Sequence, residues 1–109
     1  MNNAPLPRHQ SLRVTLDAEQ AAAGHDLGRQ TRIVLGRLNL QLQALERTMA
    51  DVLCLTFLVT DIGHMGEAYE LLDPLADTGA FPPGSAVVVP ALSYAGALVE
   101  IEAVIALPG

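Results

Sequence analysis

The spacing of apolar residues predicts the elements of the first half of the chain. In 11–17 apolar and polar residues alternate, which is typical of a strand with one buried face. Residues 18–24 are mostly small and predict a loop. Across 26–48 apolar residues recur mostly three or four apart, so a long helix with a single apolar stripe is expected, capped by Asp26. That stripe consists of Leu27, Val34, Leu38, Leu42, Leu45 and Met49.

The second half of the chain predicts a central strand, a second helix and two further strands. Residues 52–60 are apolar on both faces, as expected of a strand covered on both sides. A helix is predicted to start at Asp61 and to be ended by Asp73-Pro74 and the pair Thr78-Gly79. After a stiff turn at 81–84, strands are predicted at 85–89 and 98–107. The order β-α-β-α-β-β indicates an α+β fold with two helices on one face of a sheet.

Length and composition indicate one domain that associates with itself. The chain has 109 residues, which we divide into an N-terminal arm at 1–10 and a single domain at 11–109. Half of the residues are hydrophobic, yet only two Tyr and two Phe are aromatic. This is more aliphatic material than so small a monomer easily buries, so a homo-oligomer is expected.

Charge and cysteine content exclude several classes of function. Six arginines stand against twelve carboxylates, for a net charge of −6, so binding to nucleic acid or to an anionic membrane is not expected. A single cysteine, Cys54, allows no intrachain disulfide. The N-terminus lacks the apolar core of a signal peptide, and the apolar stretch 52–59 is too short to span a membrane. A soluble, cytoplasmic protein is expected.

Two carboxylates are the most informative candidates for chemistry. Glu100 and Glu102 alternate in a predicted strand, so both project from the same face. They can act as a general base and its neighbour, or they can belong to a solvated face; spacing alone favours the second. The three histidines, His9, His25 and His64, lie far apart and are expected on the surface rather than on a metal. Cys54 is expected to act as a small hydrophobe.

Several local strings, in their order along the chain, resemble the Rid (YjgF-like) family. They are QTR at 30–32, DVL at 51–53, FLVTDI at 57–62, EAY at 67–69 and VEIEA at 99–103. The resemblance extends over 11–107. It implies a fold like that of bacterial chorismate mutase, assembled as a trimer with ligand clefts between subunits. It also implies hydrolysis of imines and enamines to ketones and ammonia, with no cofactor and no metal.

The resemblance assigns a site in which one expected residue is missing. Glu100 stands at the position of the acid that positions or activates water in the family. Where the family carries an arginine that binds the substrate carboxylate, this chain has Gly84, and its N-terminal hairpin is shortened. Arg13 or Arg29 of a neighbouring subunit is one candidate replacement. The ligand-binding positions implied are Ser11, Phe81, Gly84, Ser85, Ala86 and Tyr94.

Two functions therefore remain open. One is a small-molecule-binding protein that is not an ordinary 2-imino acid deaminase. The other is an atypical imine or enamine hydrolase that uses Glu100 on a ligand without a carboxylate. Ribonuclease activity, sometimes assigned to the family, conflicts with the acidic charge.

Overall fold

The computed structural model describes residues 8–24, 26–76 and 84–107. Within them the chain forms strands β1 (Arg8–Val14), β2 (Val52–Val59), β3 (Gly84–Val88) and β4 (Val99–Leu107), and helices α1 (Ala18–Ala22), α2 (Leu27–Ala44) and α3 (Gly63–Ala76). A short 3-10 turn, Met49–Asp51, leads into β2. None of the helices in this described part of the chain is long and apolar enough to cross a membrane.

The four strands form one mixed sheet in the order β1-β4-β2-β3. β4 is antiparallel to both β1 and β2, whereas β3 is parallel to β2. Parallel neighbours need a crossover connection, and the segment containing α3 supplies it. The predicted α+β class, a sheet backed by helices, is confirmed.

The hydrophobic core lies between the sheet and α2. On β4 the alternate residues Val99, Ile101, Ala103 and Ile105 are fully buried on this side. The predicted stripe of α2 packs towards them with Leu27, Val34, Leu38 and Leu42, all buried, while Leu45 and Met49 are only partly buried. The helical period of the sequence therefore identified the buried face of α2 correctly.

Hydrogen bonds at its two ends define α2. The Asp26 carboxylate accepts bonds from the backbone N–H groups of Gly28 at 2.9 Å and Arg29 at 3.4 Å, as the sequence predicted. The helix ends at Ala44, earlier than the predicted Thr48. Glu46 adopts a positive φ of 56°, and the Arg47 N–H then bonds back to the carbonyl of Leu42. This closure stops the helix without a glycine.

Helix α1 replaces the loop that we predicted at 18–24. The Asp17 side chain accepts a bond from the Gln20 N–H at 2.7 Å, and the Gln20 side chain accepts one from the Asp17 N–H at 3.0 Å. This reciprocal capping box stabilises a helix start even where the following residues are small. The pair was visible in the sequence, but the prediction overlooked it.

Other boundaries differ by a few residues. β1 begins at Arg8 rather than at residue 11, because its backbone pairing with β4 continues to the pair Arg8 and Leu107 regardless of side-chain polarity. α3 begins at Gly63, two residues after the predicted Asp61, and runs through Pro74 to Ala76, which lies between the two predicted end signals. A proline removes one backbone donor, and so close to the end of a helix that loss need not stop it.

Candidate functional site

The face of the sheet opposite α2 carries most of the polar side chains of the strands. We call it the open face; its members alternate with the core residues on each strand. Register places Arg13 of β1, Glu102 of β4, Thr56 of β2 and Ser85 of β3 in a single row across all four strands. A neighbouring row pairs Glu100 with Leu58 and Leu58 with Val87. The predicted placement of both glutamates on one face is thus confirmed.

Glu100 is completely buried on this face, with 0% of its surface exposed. Its Oε1 accepts hydrogen bonds from Arg13 Nε at 3.0 Å and from Ser93 Oγ at 3.0 Å, and Arg13 Nη2 lies 2.8 Å away. Its Oε2 accepts a short bond from the backbone N–H of Ser93. A buried carboxylate is tolerated only when it is paired and hydrogen-bonded, and both conditions are met here.

Arg13 links this buried carboxylate to an exposed one. Its Nη1 lies 2.9 Å from Oε1 of Glu102, whose side chain is about half exposed, as is that of Arg13. Two carboxylates therefore share one guanidinium. We call Arg13, Glu100 and Glu102 the charged triad. With every member ionised, its net charge is −1.

A buried glutamine supports the segment that covers Glu100. Gln30 of α2 is 1% exposed and donates through Nε2 to the carbonyls of Gly24 and Gly96, each at 2.9 Å. Its Oε1 accepts from the backbone N–H of Leu98 at 2.7 Å. The segment 93–98, which carries Ser93 at its start, is therefore tied to α2. We call it the covering segment.

A shallow groove of about 240 Å³ crosses the open face beside the charged triad. Its lining residues belong to β1, β4 and β2, three strands that are hydrogen-bonded to one another in the sheet. The lining residues are Ser11, Leu12, Arg13, Thr56, Glu102, Ala103 and Val104. Two hydroxyls, a guanidinium and a carboxylate thus surround a small, open space of mixed polarity, below the range of about 300–1,000 Å³ that is common for small-molecule pockets.

The structure spreads the predicted ligand-binding residues over different surfaces. Ser11 lines the groove and Ser85 lies in the row of Thr56, but Ala86 faces the other side of the sheet. The backbone N–H of Ala86 donates to the hydroxyl of Tyr69 of α3 at 3.2 Å. Tyr94 is exposed in the covering segment. Gly84 opens β3, and Phe81 lies outside the described residues.

Sequence reasoning missed the central role of Arg13 within its own chain. It considered Arg13 only as a contribution from a neighbouring subunit, and Arg29, the other candidate, is exposed near the start of α2 without a bond to Glu100 in the described structure. The alternation that puts Arg13 on the same face as Ser11 was a usable signal. Gln30 and Ser93 were also missed as partners of the site.

Comparison with known proteins establishes the family of the chain. A model of the family described as endoribonuclease L-PSP matches residues 11–107. No significant match was found among curated protein sequences.

Solved structures share the fold over most of the chain. Rv2704 of Mycobacterium tuberculosis, a member of the YjgF/YER057c/UK114 family, is 29% identical; the match covers 90% of this chain and 100% of that one, with a TM-score of 0.67. YyfA of Yersinia pestis, a Rid protein of unknown function, is 29% identical over 90% and 77% of the two chains, with a TM-score of 0.68. The yeast protein YEO7 is 21% identical over 89% and 75%, with a TM-score of 0.70, and shows the fold alone. This chain belongs to the endoribonuclease L-PSP family, the family of the YjgF and Rid proteins.

Proposed function

We propose that the protein is a Rid-like small-molecule-binding protein that uses the groove on its open face and does not act as an ordinary 2-imino acid deaminase. The observation that carries this proposal is the pairing of Arg13 with both Glu100 and Glu102. The resemblance places the family's arginine at the position of Gly84, the first residue of β3. The guanidinium that lines the groove is already engaged by two carboxylates.

The net charge of the triad is a further argument against a ligand that carries a carboxylate. At 4 Å, a net charge of −1 repels a second negative charge by about 1 kcal/mol in water and about 4 kcal/mol at an effective dielectric constant of 20. A hydrogen bond to a charged group contributes about 1.5–3 kcal/mol, which lies between these two values, so the repulsion cancels that gain only where the groove is shielded from water. Neutral or cationic ligands are favoured.

A trimer, which family membership favours, is part of the proposal. On the open face Val87 is 44% exposed, and Ser85 of the same strand is exposed as well. A neighbouring subunit that covered these residues would deepen the shallow groove into a cleft. The proposed ligand site is therefore complete only in the oligomer.

Replacing Val87 with aspartate should dissociate the trimer. A charge placed in a contact between apolar surfaces loses its hydration without gaining a partner, so association becomes unfavourable. Light scattering coupled to gel filtration should give three chain masses for the wild type and one for Val87→Asp. The matched control is Leu40→Asp on the outer side of α2, where Leu40 is 65% exposed and the trimer should persist. A monomeric wild type, or a trimeric Val87→Asp variant, would contradict the arrangement.

The second candidate is an atypical imine hydrolase that uses Glu100. In its favour, a buried carboxylate lies next to the groove on the same face. Against it, Oε1 and Oε2 are already bonded to Arg13 and Ser93, so Glu100 would have to exchange one of these bonds for a water before acting as a base. RNA hydrolysis, the activity in the family's name, finds no support in a chain with a net charge of −6.

Ammonia release from imines generated in situ separates the two candidates. An amino-acid oxidase supplies imines with a carboxylate, and a flavin-dependent amine oxidase supplies imines without one. We expect no acceleration for the first substrate. Acceleration for the second alone, abolished in Glu100→Gln, would establish the hydrolase. Acceleration for the imino acids would refute the proposal, provided that the oxidase rate is unchanged by the protein.

A further inference from the structure

Glu102 differs from Glu100 in burial and in what it does for Arg13. Glu100 is fully buried and satisfied by the covering segment as well as by Arg13. Glu102 is half exposed and lines the groove. Its Oε1 accepts a hydrogen bond from Nη1 of Arg13. Glu100 therefore orients the guanidinium, whereas Glu102 occupies the part of it that faces the groove.

The excess negative charge of the triad comes from Glu102. The pair of Arg13 and Glu100 is neutral, so the second carboxylate gives the triad its excess negative charge. A guanidinium held along its Nε and Nη2 edge still presents Nη1 to a ligand. In this protein Glu102 fills that position with a carboxylate from its own chain, 2.9 Å away.

We propose that Glu102 is a specificity-determining residue: by binding Nη1 of Arg13 it excludes ligands that carry a carboxylate and selects neutral or cationic ones. The inference rests on the proposed function, because it requires the groove to be the ligand site. It also makes a claim that the proposed function does not, namely that Glu102 alone, rather than the triad as a whole, sets the charge preference of the groove.

Removing the Glu102 side chain should convert the groove into a site for anions. In Glu102→Ala the Arg13 and Glu100 pair remains, the excess charge disappears, and Nη1 becomes free to bond to a ligand carboxylate. Glu102→Gln tests charge more narrowly, since its amide oxygen can still accept from Nη1. Gain of anion binding should therefore be larger for alanine than for glutamine.

Three probes of one planar shape and different charge provide the test: benzoate, benzamide and protonated benzamidine. Each is titrated into the wild type and into Glu102→Ala, with affinity read from the NMR signals of the Arg13 Nε–H and the Thr56 amide. In the wild type, benzoate should bind at least tenfold more weakly than benzamide. In Glu102→Ala, benzoate should gain about tenfold or more, while benzamide should change less than twofold.

Two further variants make the result specific. Adding Arg13→Ala to Glu102→Ala should abolish the gain, because no guanidinium remains to bind the carboxylate. Glu46→Gln, an exposed glutamate after α2, removes the same charge elsewhere and should leave all three affinities unchanged. Circular dichroism confirms that each variant is folded.

Equal binding of benzoate and benzamide by the wild type, or no gain in Glu102→Ala, would overturn the role of Glu102 alone. If none of the probes shifts the groove signals in any variant, the groove itself, and with it the proposed function, is refuted.

Discussion

Replacing Arg13 with methionine should lower the free energy of unfolding by about 3 kcal/mol, because it leaves a fully buried carboxylate without its cation. Methionine keeps much of the length and apolar contact of the arginine stem, so the loss reports mainly on charge and hydrogen bonding. Ser93 would still donate to both oxygens of Glu100. That remaining support, and the half exposure of Arg13, place the expected loss at the lower end of the range for broken buried pairs.

Urea unfolding of the wild type and two further variants checks this value. Arg32→Met removes an exposed arginine of α2 and should change stability by less than about 0.5 kcal/mol. In the double variant Arg13→Met with Glu100→Leu, the stranded charge is gone, so a large part of the loss should be recovered. A loss below about 1 kcal/mol in Arg13→Met, or no recovery in the double variant, would show that Glu100 does not depend on Arg13.

The pair of Arg13 and Glu100 also shows where sequence reasoning reaches its limit. The two residues are 87 positions apart, and no periodicity connects them. They meet because β1 and β4 are antiparallel neighbours, a relation set by the sheet order rather than by either segment alone. Without that order, Arg13 was considered only as a residue supplied by another subunit.

Burial was harder to predict than orientation. Alternation within one strand correctly placed Glu100 and Glu102 on the same face, but it implied no difference between them. The difference arises because the covering segment lies over Glu100, where Ser93 bonds to it, while Glu102 faces the groove. By contrast, the buried stripe of α2 was predictable. Apolar residues that recur with the 3.6-residue period of a helix lie on one side of it, and that side packs against the sheet.

The family resemblance predicted the fold but not the ligand, because the two depend on different features of the sequence. A sheet of this topology requires apolar alternation, which many sequences satisfy, whereas ligand choice depends on a few charges on one face. The resemblance places Gly84 where the family has an arginine, and the structure places Arg13 at the groove with the carboxylate of Glu102 already bound to it. Substrate class therefore cannot be transferred from relatives of the chain.

Replacing Gln30 with leucine should cost about 3 kcal/mol of folding free energy, comparable to the loss of Arg13. Leucine has a similar volume but leaves the carbonyls of Gly24 and Gly96 and the N–H of Leu98 without their partner. Each unsatisfied buried group costs about 1–3 kcal/mol, and access of water to the two half-buried glycines keeps the sum near the lower limit. Gln43→Leu, an exposed change on the same helix, should be nearly neutral in urea unfolding.

Gln30→Leu should also disturb the charged triad. If Gln30 contributed only to the overall stability of the fold, the triad would not be affected specifically. Gln30 holds the covering segment, that segment brings Ser93 onto Glu100, and Glu100 in turn orients Arg13. Hydrogen exchange of the Arg13 Nε–H should therefore accelerate about tenfold or more in Gln30→Leu under native conditions, where local opening dominates. Leu42→Ala removes a buried side chain of α2 and costs about 2–5 kcal/mol, yet it does not touch the covering segment's hydrogen bonds. If both variants accelerate exchange equally, the effect is one of global stability; acceleration in Gln30→Leu alone assigns Gln30 to positioning the site.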